Sequence, residues 1–229
     1  MIQSLTRRIS ATLLTAITTA ACSSATQGVS RSAAQPTASS KGDVTGIALA
    51  RKDSARLPYT EADIHFMSGM IGHHAQAIVM ARWAPSHEAS GSIQRLAERI
   101  INAQNDEINL MQRWLRERRQ PVPDANVMGM KMVMDGVEHI MMMPGMLTDV
   151  QMKQLDQARG AEFDKLFLTF MIQHHRGAVS MVKDLFSTYG AGQDETVFKF
   201  ASDVNVDQTT EIDRMQKMLT ALTLGISLP

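Results

Sequence analysis

Several things are scarce in this sequence, and each scarcity closes a door. There is one cysteine, Cys22, so an internal disulfide framework is impossible. Aromatic residues make up only 5%, with two tryptophans and two tyrosines. No sign of charge is in excess, since 23 basic residues balance 23 acidic ones. A nucleic-acid partner is therefore not expected, because no basic surplus marks one. Beyond the N-terminal region no run of apolar residues is long enough to cross a bilayer. A glycine-rich phosphate loop is missing, as is any serine or cysteine nucleophile constellation. What the chain has instead is methionine, 18 of them. Soft core packing is one use for so many thioethers; ligation of Cu(I) or a similar ion is another.

The lone cysteine is explained by its position. Arg7 and Arg8 precede a short apolar run from Ile9 to Ile17, and Thr19-Ala20-Ala21 place small residues before Cys22. This is a signal-peptide layout over residues 1–21, and a cysteine at that point resembles a bacterial lipobox. Cys22 is then the lipidation site, and the protein is expected to cross the inner membrane and stay anchored, facing periplasm or exterior. Residues 22–57 are rich in Ser, Ala, Thr, Gly and Gln without a sustained period, which reads as a flexible tether. A folded domain is expected over 58–224, opening with Thr60 and Asp63 as a capping pair.

That domain carries an internal repeat. Phe66, Met70, His73, His74, Ala77 and Met80 match Phe167, Met171, His174, His175, Ala178 and Met181, each pair 101 positions apart. Ala97, Gln104, Glu107, Ile108, Met111 and Leu115 match Ala201, Gln208, Glu211, Ile212, Met215 and Leu219, here 104 apart. The three extra residues fall at the turn near Gly190-Ala191-Gly192, where a helical hairpin tolerates them. The period of each block predicts helices over about 61–84, 92–118, 161–188 and 195–222. A fold of class all-α follows, a four-helix bundle made from two duplicated helical hairpins. A long connection, 121–160, joins the hairpins. It should hold a short helix over 149–157, with Thr148 as cap and Gln151 reaching back.

The apolar stripes carry polar groups. His73 falls between Phe66, Met70, Ala77 and Met80, with His74 at the stripe's border; His174 and His175 repeat this. Gln104 and Glu107, and again Gln208 and Glu211, sit on the stripes of the second helices. Burying such groups alone costs about 1–3 kcal/mol each, so a bundle should bring them together. Two readings stay open. The groups form a hydrogen-bonded network that fixes helix register, or the imidazoles ligate metal with the carboxylates and amides behind them. Met67, Met70 and His74 stand three and four apart, on one helix face, and Met171 repeats Met70, while Leu168 replaces the counterpart of Met67. A thioether and an imidazole one turn apart suit a soft cation.

The connection adds a second signal. Met128, Met130, Met132 and Met134 alternate, and Met141, Met142, Met143 and Met146 follow, with His139 between. Alternation by two puts side chains on one side of an extended chain. Soft-metal binding, a packing lid and a partner surface all fit this run. Met111, Met215 and Met218 read as plain core.

These motifs resemble the bacterial domain-of-unknown-function 305 family. The resemblance rests on Phe66…Met70-Ile71-Gly72-His73-His74…Ala77…Met80, on Gln104…Glu107, on Phe163-Asp164…Met171-Ile172-Gln173-His174-His175-Arg176-Gly177-Ala178…Met181, and on Met143-Pro144-Gly145-Met146. It covers roughly Tyr59 to Leu222. It implies a ferritin-like four-helix fold, an extracytoplasmic location and frequent lipoprotein signals. For some members it also implies copper binding through Met and His. The Glu-x-x-His motif of ferritin-like di-iron proteins is absent, so the fold likeness does not imply ferroxidase chemistry. The leading expectation is a binding protein for copper or silver serving sequestration, delivery or tolerance, with iron or manganese less favoured. A dinuclear carboxylate–histidine oxidoreductase built on Glu107, Glu211 and the histidine pairs is one rival. A structural or interaction module without metal is the other. Self-association is compatible with all three.

Overall fold

The computed structural model describes residues 59–226, apart from the side chain of Met134. The signal peptide 1–21, Cys22 and the tether 22–57 lie outside the described residues. Five helices and one two-stranded sheet make up the described chain: α1 (Glu61–Arg82), α2 (Gly91–Glu117), β1 (Met130–Met134), β2 (Val137–Met141), α3 (Asp149–Gln157), α4 (Gly160–Ser187) and α5 (Glu195–Thr223). Helices α1 and α2 form one hairpin and α4 and α5 the other, and the hairpins meet where α1 packs on α4. None of the described helices is long and apolar enough to cross a membrane.

Local chemistry sets the helix starts. Thr60 and Asp63 form a reciprocal capping box at α1, and Thr148 and Gln151 form another at α3. Asp194 caps α5 by accepting from the backbone N–H groups of Thr196 and Val197. Its second oxygen takes the Arg118 guanidinium at 2.5 Å, which ties α5 to the end of α2.

Duplication shows in a reciprocal pin between the hairpins. Asp63, fully buried on α1, accepts from the backbone N–H of Gly192 at 2.7 Å, in the α4–α5 turn. Its repeat partner Asp164 on α4 accepts from Ser90 N–H at 3.1 Å, in the α1–α2 turn. Each hairpin's first helix thus holds the other hairpin's turn. Both turns would otherwise carry a backbone donor with no partner.

The core divides into two apolar compartments. One joins Phe66, Met67 and Met70 of α1 to Met111 and Trp114 of α2, Met181 and Leu185 of α4, and Phe200 and Val204 of α5. The other joins Met80 and Ala81 of α1 to Ile93 and Leu96 of α2, Phe163, Phe167 and Met171 of α4, and Met215 and Met218 of α5. Between them in sequence, on all four long helices, lie the buried polar residues His73, His74, Gln104, His174, His175 and Gln208.

The connection folds back as a strap. Its β1–β2 hairpin turns at Asp135-Gly136, both at positive φ, the two-residue geometry that matches strand twist. Residues 143–147 then run against α1 and α4. Leu147 is clamped in both directions by the buried Gln76, whose amide donates to the Leu147 carbonyl at 3.0 Å and accepts its N–H at 2.7 Å. Two glycines give the strap room. A Cβ on Gly177 would stand 1.8 Å from the Pro144 carbonyl oxygen, and one on Gly72 would stand 2.0 Å from that of Gly129. Backbone, not a flexible side chain, is in the way. Gly177→Ala should therefore destabilise the protein by about 1–3 kcal/mol through overpacking. Urea midpoints check this, with Gly91→Ala as control, since only the Arg95 side chain comes near its Cβ, at 3.4 Å.

Candidate metal centre

The middle of α1 and its counterpart in α4 bring four imidazoles into the centre of the bundle. His73, His74, His174 and His175 are all 0% exposed. The His73 and His174 rings lie 3.8 Å apart between centroids, tilted by 37°. His74 and His175 flank them, each ring 6.3 Å from its neighbour in sequence.

Hydrogen bonds fix a proton on one nitrogen of three of the four rings. His73 Nε2 donates to the Pro144 carbonyl at 3.0 Å. A carbonyl only accepts, so this nitrogen holds the hydrogen and Nδ1 keeps the lone pair. His74 Nε2 donates to Glu107 Oε2 at 2.5 Å, and His175 Nε2 to Glu211 Oε2 at 2.8 Å. The Nδ1 atoms of His73, His74, His174 and His175 are buried without a hydrogen-bond partner, and so is Nε2 of His174. The His73 carbonyl lies near the His174 ring but does not meet hydrogen-bond geometry. Such orphaned nitrogens are rare in a finished core. An imidazole whose N–H is held by a carboxylate or carbonyl, with the other nitrogen free, is the arrangement of a metal-ligating histidine.

Electrostatics keep the central pair neutral. Burial, reinforced by His74, lowers the pKa of His73 from 6.5 to about 3. His174 is likewise held well below 6.5, by burial first and then by His73, His175 and His74. A neutral ring is the form that ligates a metal.

Sulfur surrounds this layer unevenly. Met67, Met70, Met80 and Met171 are fully buried, and Met181 nearly so. Met67, Met70 and Met181 share a compartment with Met130, Met143 and Met146 of the strap. Met80 and Met171 belong to the other compartment, so the methionines predicted beside the histidines are split between the two sides. Met143 packs where Gly69 leaves space, and its backbone N–H donates to the Met146 sulfur at 3.3 Å. Among the described residues no three His, Cys, Asp or Glu side chains converge closely enough to hold one ion. An ion centred here would draw on two imidazoles, alone or with thioether beside them.

The hairpin gathers a second group. In its register Met130 faces Met141, Met132 faces His139, and Met134 pairs with Val137. Met130, Met132, His139 and Met141 thus share one face, as directly opposite and alternate positions do. Met130 is buried, Met132 and Met141 are half-buried, and His139 is exposed. Met128 is half-buried just before the hairpin, and Met142 is exposed after it.

Other residues escaped the sequence reading. The Pro144 carbonyl that orients His73 sits in Met143-Pro144-Gly145-Met146, a motif with no stated role there. His87, 4% exposed, holds the strap through Nε2 to the Asp156 carbonyl at 2.8 Å. Asp207 lies beside Glu107 and Glu211 on the groove between α2 and α5, where the first repeat has Ala103. Comparing the repeats position by position would have exposed that substitution.

Comparisons with known proteins bear on the family and the fold. The model of the family described as Domain of unknown function (DUF305) matches residues 63–219. A DUF305 protein of Streptomyces coelicolor, described as a candidate secreted protein, is 28% identical, with a TM-score of 0.59 over 73% of this chain and 96% of that one. CopM in its Cu(I)-bound form is 27% identical, with a TM-score of 0.52 over 69% of this chain and 95% of that one. CopM has also been solved in Cu(II)-bound and silver-bound forms, with TM-scores of 0.53 and 0.51. A 57-residue stretch is 40% identical to the uncharacterized protein L153 of Acanthamoeba polyphaga mimivirus; it covers 25% of this chain and 38% of that protein.

Proposed function

This chain belongs to the DUF305 family, and from that premise we propose that it is an extracytoplasmic lipoprotein that binds copper or silver for sequestration, delivery or tolerance. The observation that carries the reading is the set of unpartnered Nδ1 atoms on four fully buried imidazoles. Cu(I) and Ag(I) accept imidazole nitrogen and thioether sulfur together, and both donors occur here. His73 and His174, with His74 and His175 to either side, would supply nitrogen; Met70, Met67 and Met171 would supply sulfur from adjoining turns. Glu107, Glu211 and the Pro144 carbonyl hold three of the rings in the ligating tautomer. The family relationship supports the metal class, since CopM has been solved with Cu(I), Cu(II) and silver bound. Cys22 would carry the lipid that keeps the protein at the membrane.

The rivals are less well supported. A dinuclear oxidoreductase needs carboxylates free to bridge two ions, but Glu107 and Glu211 each already hold an imidazole. A purely structural network would satisfy its own members, and His174 has neither nitrogen satisfied.

Titration of the purified protein with Ag(I), and with Cu(I) against a competing chelator, tests the proposal. Saturable binding that weakens in a variant lacking all four histidines supports it; equal binding by that variant refutes it. The hairpin face is a further candidate for one ion, through Met130, Met132, Met141 and His139. Replacing its three methionines by leucine keeps volume, at a cost under about 1.5 kcal/mol per site. The triple variant is expected to stay folded and to bind one Ag(I) fewer by isothermal titration calorimetry.

A further inference from the structure

The imidazole layer has no exposed atom on any of its four rings, so an ion bound there must pass through something. The groove between α2 and α5 has the features of such a passage. It has a volume of about 410 Å³ and is lined by Arg99, Gln104 and Glu107 of α2 and by Asp207, Gln208 and Glu211 of α5, among others. Glu107 and Glu211 reach both places. Each is about one-fifth exposed on the groove side, while its Oε2 holds His74 or His175. Beneath them Gln104 and Gln208 are 2% and 5% exposed, and the Oε1 of each has no hydrogen-bond partner. Two unpaired amide oxygens on one groove are a costly arrangement in a core. Both oxygens are closed off from solvent, so each amide must swing outward a little to meet a cation and its water in the space above.

The groove is also charged in the right sense. Three carboxylates, Glu107, Asp207 and Glu211, face one guanidinium, Arg99, whose nearest approach is 3.7 Å to Glu211. Burial raises the Asp207 carboxyl above its usual range, and the negative charges of Glu107, Asp203 and Glu211 raise it further. Asp207 is the acidic member that breaks the repeat, standing where the first hairpin has Ala103. Among the described residues no three such carboxylates are grouped to hold a bare ion.

We infer that this groove is a capture site for a hydrated cation and the port to the buried histidines. Asp207, Glu107 and Glu211 attract the ion with its water shell. The oxygens of Gln104 and Gln208 then replace part of that water before His74 or His175 is reached. The inference rests on the soft-metal reading for its destination, but not for the capture step.

Capture is therefore tested with hexaamminecobalt(III), an exchange-inert mimic of a hydrated ion that cannot ligate to imidazole. The side-chain amide signals of Gln104 and Gln208 are followed by NMR in the wild type, in Asp207→Asn and in Asp213→Asn. Asp213 is an exposed acid of α5 that lines a different groove. Both amides should shift saturably in the wild type and in Asp213→Asn, and at least about fivefold more weakly in Asp207→Asn, the effect of one unit charge at close range in water, which the trivalent complex exceeds. Stopped-flow mixing with Ag(I) then reads the port. Asp207→Asn should slow association about threefold at low salt, and the difference should shrink at high salt as screening sets in. Unmoved glutamine signals, or equal Ag(I) rates in Asp207→Asn and wild type, overturn the inference and leave the soft-metal reading standing. A wild type that binds the cobalt complex but no Ag(I) removes that reading and the port with it.

Discussion

Replacing His174 by leucine should make the protein more stable and much poorer at binding soft metal. Both ring nitrogens of His174 are buried without a partner. Leucine has similar volume and no polar atom to desolvate, so the exchange removes a burden of about 1 kcal/mol or more. The same exchange deletes the ring that stands 3.8 Å from His73 at the centre of the layer. Affinity for Cu(I) or Ag(I) should fall about a hundredfold, at the upper end of what even the loss of an outer partner costs. Thermal melts of the metal-free protein and a chelator competition measure the two effects. A register network predicts the reverse in the melt, because there the imidazole would earn its place structurally. Stability surrendered at a site that binding needs is a familiar compromise.

Acid should unfold this protein well above the carboxylate range. His73 is neutral in the folded state down to about pH 3, and His174 is also held well below 6.5. In the unfolded chain both take a proton near 6.5. Below that value the unfolded state binds more protons, so stability is complete above about pH 6.5 and declines as pH falls. Each histidine contributes up to about 1.4 kcal/mol per pH unit, so the pair costs up to about 4 kcal/mol by pH 5. Urea midpoints at pH 7.5 and pH 5 should differ accordingly. His174→Leu should show about half the loss. A flat profile between those values would mean that the central rings are hydrated or already paired with acid groups.

Much of this arrangement is written in the sequence because it is written there twice. The offsets of 101 and 104 imply two like hairpins, and the bundle brings His74 to Glu107 and His175 to Glu211, as unpaired polar groups on apolar stripes require. Thr60 with Asp63 and Thr148 with Gln151 cap helices because capping is local. His74 and His175 were placed at stripe borders, yet they are wholly buried. Each is covered by the carboxylate of a neighbouring helix, which single-helix periodicity does not register. Alternation announced an extended methionine segment, and Asp135-Gly136 was a turn signal that would have closed it into a hairpin. Long-range backbone pairing was not legible. Nothing local to Asp63 names Gly192, and nothing local to His73 names the Pro144 carbonyl. Nor could one helix's face show that Met70 and Met171, equivalent in the repeat, would fall in opposite compartments.

The account turns on which nitrogen of each ring is free. Long-range ¹⁵N NMR of the imidazoles, before and after one equivalent of Ag(I), tests this directly. The account predicts that His73 is neutral and that His73, His74 and His175 each carry a proton on Nε2 in the metal-free protein. Silver should then move Nδ1 resonances within this layer by tens of ppm while those Nε2 protons stay in place. Protonated Nδ1 atoms at the start, or silver that leaves all four rings untouched, would contradict it.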